Sequence, residues 1–122
     1  MKILIRGRPG AGKTTMVKKL LQKIKSPYAG FLTEEIRETG ERVGFKIVTT
    51  DGREGILARK DFPSPYRVAG YGVNLEDFER VALPIFEGIT NQLVVIDEIG
   101  KMELFSGRFK KIITDLFARS DR

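Results

Sequence analysis

The sequence predicts an α/β domain with a mainly parallel core sheet and an inserted antiparallel meander. Three observations carry this reading. The apolar run KILIR (2–6) passes straight into a glycine-rich loop and then into a helix pattern. A second apolar run, LVVID (93–97), ends in an acid. Between the two lie three β-like stretches separated by turn signals, which strand–helix alternation alone does not explain. The 122 residues are expected to form one domain, 1–122, large enough to bury a real core.

Taken in order, KILIR reads as a buried first strand. From Lys13 to Lys25, Val17, Leu20, Leu21 and Ile24 recur on one helix face, and Ser26-Pro27 ends the helix. AGFLTEEI, RVGFKIVTT and REGILARK follow, with turns at Glu38-Thr-Gly-Glu and Asp51-Gly52; Asp-Gly between strand-like runs is a strong hairpin signal. DFPSPYRVAGYGVN (61–74), with two prolines and little periodicity, reads as a 14-residue loop, long enough to carry function. Asn74 caps a helix whose apolar face runs through Leu75, Phe78, Val81, Ala82, Ile85, Phe86 and Ile89, with Pro84 expected to kink or split it. LVVID is the second buried strand. Ser106 caps a last helix with Phe109, Ile112, Ile113, Leu116 and Phe117 on its apolar side.

Composition narrows the chemistry. The chain lacks cysteine and histidine, which excludes disulfides, thiolate metal sites and the usual acid–base catalyst. Carboxylates, lysine, arginine or a hard metal ion must do any catalytic work. The net charge of +6 is spread among charges of alternating sign, so a solvated surface is favoured over a nucleic-acid patch. No apolar run approaches the length of a membrane span, and no leader-like segment precedes KILIRG, so the expected location is the cytoplasm.

Residues 7 to 15 read GRPGAGKTT, and Gly7 to Thr14 fit G-x-x-x-x-G-K-[ST], a match expected by chance in about one chain of this length in a few hundred. Its required context, strand before and helix after, is met. Gly7, Gly10 and Gly12 clear side chains from a loop that something must approach closely, and the N–H groups of Gly10, Ala11, Gly12, Lys13, Thr14 and Thr15 can curl around a phosphate at a helix N-terminus. Lys13 is expected to reach the β- and γ-phosphates, the Thr14 hydroxyl to hold Mg²⁺, and Thr15 to touch the α-phosphate. LVVID pushes Asp97 to the carboxyl end of a buried strand, where open α/β sheets bind ligands, and there it would share the Mg²⁺. Glu98 is the obvious base for an attacking water, an assistance typically worth about 10²–10⁴ in rate. Lys101 could sense the γ-phosphate or pair with Glu103. Arg67, Arg59 and Arg8 are the candidates for an arginine that stabilises the transition state.

These motifs resemble the small thermophilic nucleoside-triphosphatases and their vertebrate relative, the cancer-related nucleoside-triphosphatase. The resemblance rests on GRPGAGKTT, GFLTEEIRETGERVGFKIVTTDG (30–52), SPYRVAGYGVNLEDFERVALP (64–84) and VVIDEIGKMEL (94–104), which together span nearly the whole chain. It implies the three-layer sandwich of the phosphate-loop NTPases and Mg²⁺-dependent hydrolysis of ATP, GTP and other nucleoside triphosphates. It places the phosphate cradle on Gly7, Arg8, Pro9, Gly10, Ala11, Gly12, Lys13 and Thr14. It places a second nucleotide segment on Val94, Val95, Ile96, Asp97, Glu98, Ile99, Gly100 and Lys101, with Glu98 as the water-activating acid. Family members continue past the helix at 106–119, so a missing C-terminal part is expected here. A nucleotide or small-molecule kinase shares the cradle and is the alternative enzyme; a nucleotide switch or nucleic-acid-binding module is the alternative of another class. No N-K-x-D stretch for guanine and no basic run interleaved with aromatics supports the latter.

Overall fold

The sheet is organised around its last strand. A computed structural model describes residues 2–4, 13–23, 25, 27–87, 93–97 and 99–119. Its strands are β1 (Lys2–Leu4), β2 (Tyr28–Glu38), β3 (Glu41–Thr49), β4 (Glu54–Arg59), β5 (Arg67–Val68), β6 (Tyr71–Val73) and β7 (Leu93–Ile96). Its helices are α1 (Lys13–Lys23), α2 (Leu75–Ala82) and α3 (Gly107–Arg119). The strands form one sheet in the order β1-β7-β2-β3-β4-β6-β5. β7 runs parallel to both β1 and β2, whereas the four pairings beyond β2 are antiparallel. The parallel core and the inserted meander are both present, and because the insertion is wider than the core, the sheet as a whole is mixed.

β7 is buried along its whole length, as its unbroken apolar run predicts for a strand covered on both faces. Val94 and Ile96 point into the larger core, with Phe31, Ile47 and Leu57 from the sheet and Phe78, Val81, Phe109 and Ile113 from α2 and α3. Leu93 and Val95 point the other way, against Leu32 and Leu21 of α1. Helices thus lie on both faces, giving three layers. The larger core is centred on Phe31, whose ring meets those of Phe78 and Phe109 at centroid distances of 5.8 Å. Those two rings meet each other edge-on at 5.2 Å, a favoured aromatic geometry.

Local chemistry explains the boundaries. The Asn74 side chain accepts the Asp77 N–H at 3.1 Å and caps α2, and at Pro84 the helix gives way to a 3₁₀ turn, Leu83–Phe86. The Ser106 hydroxyl oxygen accepts the Phe109 N–H at 3.1 Å, capping α3, and donates to Glu79 of α2 at 2.6 Å. Two expectations differ from the structure. The 61–74 stretch is not all loop: it contains the β5–β6 hairpin, turned by Ala69 and Gly70, both at positive φ. Leu20, expected on the buried face of α1, is 43 % exposed, and among the residues of that face whose side chains are described only Leu21 is buried.

Candidate functional site

The register of the parallel strands relates the ends of β1 and β7. Leu4, the last residue of β1, pairs with Ile96, the last residue of β7. Residues 5 to 12, which hold the glycine-rich sequence, follow Leu4 in the chain, and Asp97 follows its partner Ile96. Lys13 opens α1 and Thr14 follows within its first turn, the amide-rich end of the helix. Residues Gly7 to Gly12 and Glu98 lie outside the described residues.

Asp97 is fully buried, an unusual place for a carboxylate. β2 and β7 pair as far as Phe31 and Ile96, and just beyond, Asp97 Oδ1 accepts the Thr33 N–H at 3.0 Å. The side chain thus replaces the next rung of the ladder and is held at a fixed orientation. A hydrogen bond to a charged acceptor is stronger than a neutral one, which helps retain the carboxylate there. Close approach of the strands is a further requirement: at Gly30, paired with Val95, an added Cβ would stand 1.7 Å from the Val95 carbonyl oxygen.

The other expected site residues fall in distinct places. Val94, Val95 and Ile96 are buried in the two cores, so they build the strand that delivers Asp97. Thr15 and Lys101 are exposed at their respective helix and turn, and Ile99 and Gly100 are half-buried. Arg67 has work other than that expected of a transition-state arginine. Its guanidinium donates to the carbonyls of Phe62 (3.1 Å), Lys60 (3.4 Å) and Gly70 (2.8 Å), strapping its own loop together on the edge strand farthest from β1. Arg59 is engaged by Glu38 and Asp61, at 3.1 and 3.0 Å. Arg8 lies outside the described residues. Sequence reasoning missed the Thr33 N–H, because a backbone donor leaves no residue signature. It also treated Glu103 only as a partner for Lys101, whereas Glu103 is buried and its carboxylate accepts the N–H of Gly100. The Gly100-x-x-Glu103 spacing, that of a helix N-cap and its third residue, was the available signal.

Among the described residues no three His, Cys, Asp or Glu side chains converge as a metal cluster. The buried Asp97 carboxylate is a hard oxygen donor of the kind that suits a small divalent cation retaining most of its water.

A family model described as NTPase matches residues 2–122. The chain belongs to this NTPase family. The nucleoside-triphosphatase THEP1 of Thermotoga petrophila is 56 % identical over 119 residues, covering 96 % of this chain and 66 % of that protein. The crystal structure of THEP1 from Aquifex aeolicus superposes with a TM-score of 0.81 at 43 % identity, covering 95 % of this chain and 69 % of that one. The solution structure of a human cancer-related nucleoside triphosphatase superposes with a TM-score of 0.75 at 38 % identity, covering 96 % and 69 %. This NTPase-family chain therefore spans about two thirds of the length of the curated relatives it matches. No helix among its described residues is long and apolar enough to cross a membrane.

Proposed function

We propose that the protein hydrolyses nucleoside triphosphates, ATP and GTP among them, to the diphosphate and inorganic phosphate. The observation that supports this reading is the Leu4–Ile96 register: the strand that precedes G-x-x-x-x-G-K-T in the sequence pairs at its last residue with the residue before a buried aspartate. The names of the relatives, nucleoside-triphosphatases at up to 56 % identity, agree with it.

In this reading the amides from Gly7 to Thr15 cradle the phosphates, and Lys13 neutralises charge on the β- and γ-phosphates as the transition state forms. Thr14 and Asp97 would hold Mg²⁺, which would supply positive charge to the phosphate oxygens. Glu98 takes a proton from the attacking water as its oxygen bonds to the γ-phosphorus. The bond from that phosphorus to the bridging oxygen breaks, and the nucleoside diphosphate leaves. The expected setting is the cytoplasm.

The test is phosphate release from ATP, GTP, CTP and UTP, with and without Mg²⁺ and with no acceptor added. Stoichiometric release supports a hydrolase; diphosphate formed only when an acceptor is supplied, with the phosphoryl group on that acceptor and no free phosphate, makes the protein a kinase. Glu98→Gln is expected to bind Mg-ATP nearly as the parent does and to lose about 10²–10⁴ in turnover. Unchanged turnover in that variant removes Glu98 from the mechanism.

A further inference from the structure

The segment that follows Glu98 is held by a side chain outside the phosphate cradle. Glu103 is 3 % exposed, and its Oε2 accepts the Gly100 N–H at 2.5 Å. The Gly100 carbonyl in turn accepts the Leu104 N–H at 3.2 Å. Residues 100–104 thus form one helical turn whose first N–H is satisfied by the glutamate three residues on, half of a capping box. Ile99 and Met102 rest against the larger core. Beside them lies a cavity of about 160 Å³ bordered by Thr33, Phe45, Leu57, Val68 and residues 100–103. A turn bordering a cavity is not fixed by close packing on that side, so the bond at Gly100 sets where it begins. Two residues before Ile99, Asp97 is fixed by the Thr33 N–H. Glu98 therefore stands in the chain between two hydrogen-bonded anchors.

We propose that Glu103 is a positioning residue for the hydrolytic reaction: by fixing Gly100 it sets the backbone that carries Glu98, without itself touching the substrate. The inference rests on the hydrolase reading above. A base acts only within hydrogen-bond reach of its water, and a displacement of about 1 Å can cost on the order of 10²-fold in rate.

Three variants of the 122-residue chain test it, with Mg-ATP as substrate. Glu103→Gln keeps an acceptor for Gly100, Glu103→Asp keeps the charge but draws the oxygens back by one methylene, and Glu103→Ala removes both. We expect Glu103→Ala and Glu103→Asp to lower kcat by about 10- to 100-fold with KM within about twofold, and Glu103→Gln to stay within about threefold of the parent. Amide hydrogen exchange at Gly100 is expected to quicken in the first two variants and not in the third. A kcat for Glu103→Asp within twofold of the parent overturns the proposal. So does a Glu103→Gln that loses as much kcat as Glu103→Ala while Gly100 stays protected. Should alanine unfold the chain, the Asp–Gln contrast still decides. A parent chain that releases no phosphate defeats the hydrolase reading instead, and Gly100 exchange then still reports whether Glu103 holds the turn.

Discussion

Along β2, residues 30–33 and residues 34–38 obey different rules. The first four are all buried; Gly30 and Phe31 pair with β7, and Thr33 bonds to Asp97 just beyond the end of that ladder. The next five run beyond the reach of β7, pair only with β3, and are half-buried or exposed. In the first stretch, Phe31 and Leu32 serve opposite cores and no charge is present. In the second, charges form the surface: Glu34 pairs with Lys18 of α1 at 2.6 Å, and Lys46 on β3 bridges to Glu54 on β4 at 2.7 Å. Exposed pairs of this kind are screened by solvent and add little to stability. Burial and backbone contact hold the parallel half, and turns and charge pairs trim the antiparallel half. The candidate site sits on the half with the least tolerance for change.

The sharpest way to break that contrast is Gly30→Ala. The new methyl would stand 1.7 Å from the Val95 carbonyl oxygen, which is backbone and cannot rotate away. β2 and β7 must part, and the Thr33–Asp97 bond lies at the end of the same ladder. Overpacking a tight site typically costs about 1–3 kcal/mol, and with backbone as the obstacle the expected loss is about 3 kcal/mol or more, read by urea denaturation. A loss under about 1 kcal/mol would show that the parallel half yields as easily as the meander.

The same contrast governs what the sequence disclosed. LVVID was legible because a strand buried on both faces reads as an unbroken apolar run, β1 because KILIR carries the same pattern, and Asp97 stood out as the acid ending LVVID. The meander was legible because Thr39-Gly40 and Asp51-Gly52 are turn chemistry between strands. The insertion of β7 between β1 and β2 was not, since it is a pairing across more than sixty residues that no local pattern encodes. β5 and β6 escaped because strands of two and three residues are too short for periodicity, and alanine at φ 52° is an uncommon turn residue. The bonds of Arg67, a candidate transition-state arginine, were not legible because its acceptors are all backbone carbonyls.

A milder change in the antiparallel half should act in the opposite direction. Thr39 has φ 49° at the β2–β3 turn, a region costly for a β-branched residue. Its hydroxyl bonds only to the neighbouring Glu38 carbonyl, at an exposed position. Thr39→Asn puts Asn-Gly, the preferred two-residue hairpin sequence, at residues 39–40 and is expected to stabilise the chain by about 0.5–1 kcal/mol. Turnover should not change, because this turn lies at the end of β2 remote from Asp97. A fall in melting temperature would mean that the threonine conformation is supported by more than the exposed bond.

The smallest expected effect lies at the β3–β4 turn and depends on pH. The Asp51 carboxylate is held below its ordinary value of 3.8 chiefly by the Thr49 hydroxyl, with the Arg53 guanidinium, 3.2 Å away, adding to the effect. A folded-state value lower than the unfolded one means that ionised Asp51 favours the folded chain. That contribution is present in full above the unfolded value and disappears as the pH falls through the lower, folded one. Removing the charge with Asp51→Asn should therefore lower stability slightly at neutral pH, and the gap to the parent should close as acid protonates Asp51. Because the side chain is 61 % exposed, solvent screens most of the interaction, and the difference should be smaller than that at either Thr39 or Gly30. Denaturation at about pH 7 and about pH 2.5 measures it. A gap of the same size at both pH values would assign the effect to the amide's fit in the turn, and the antiparallel half would then owe less to its charges than to its backbone.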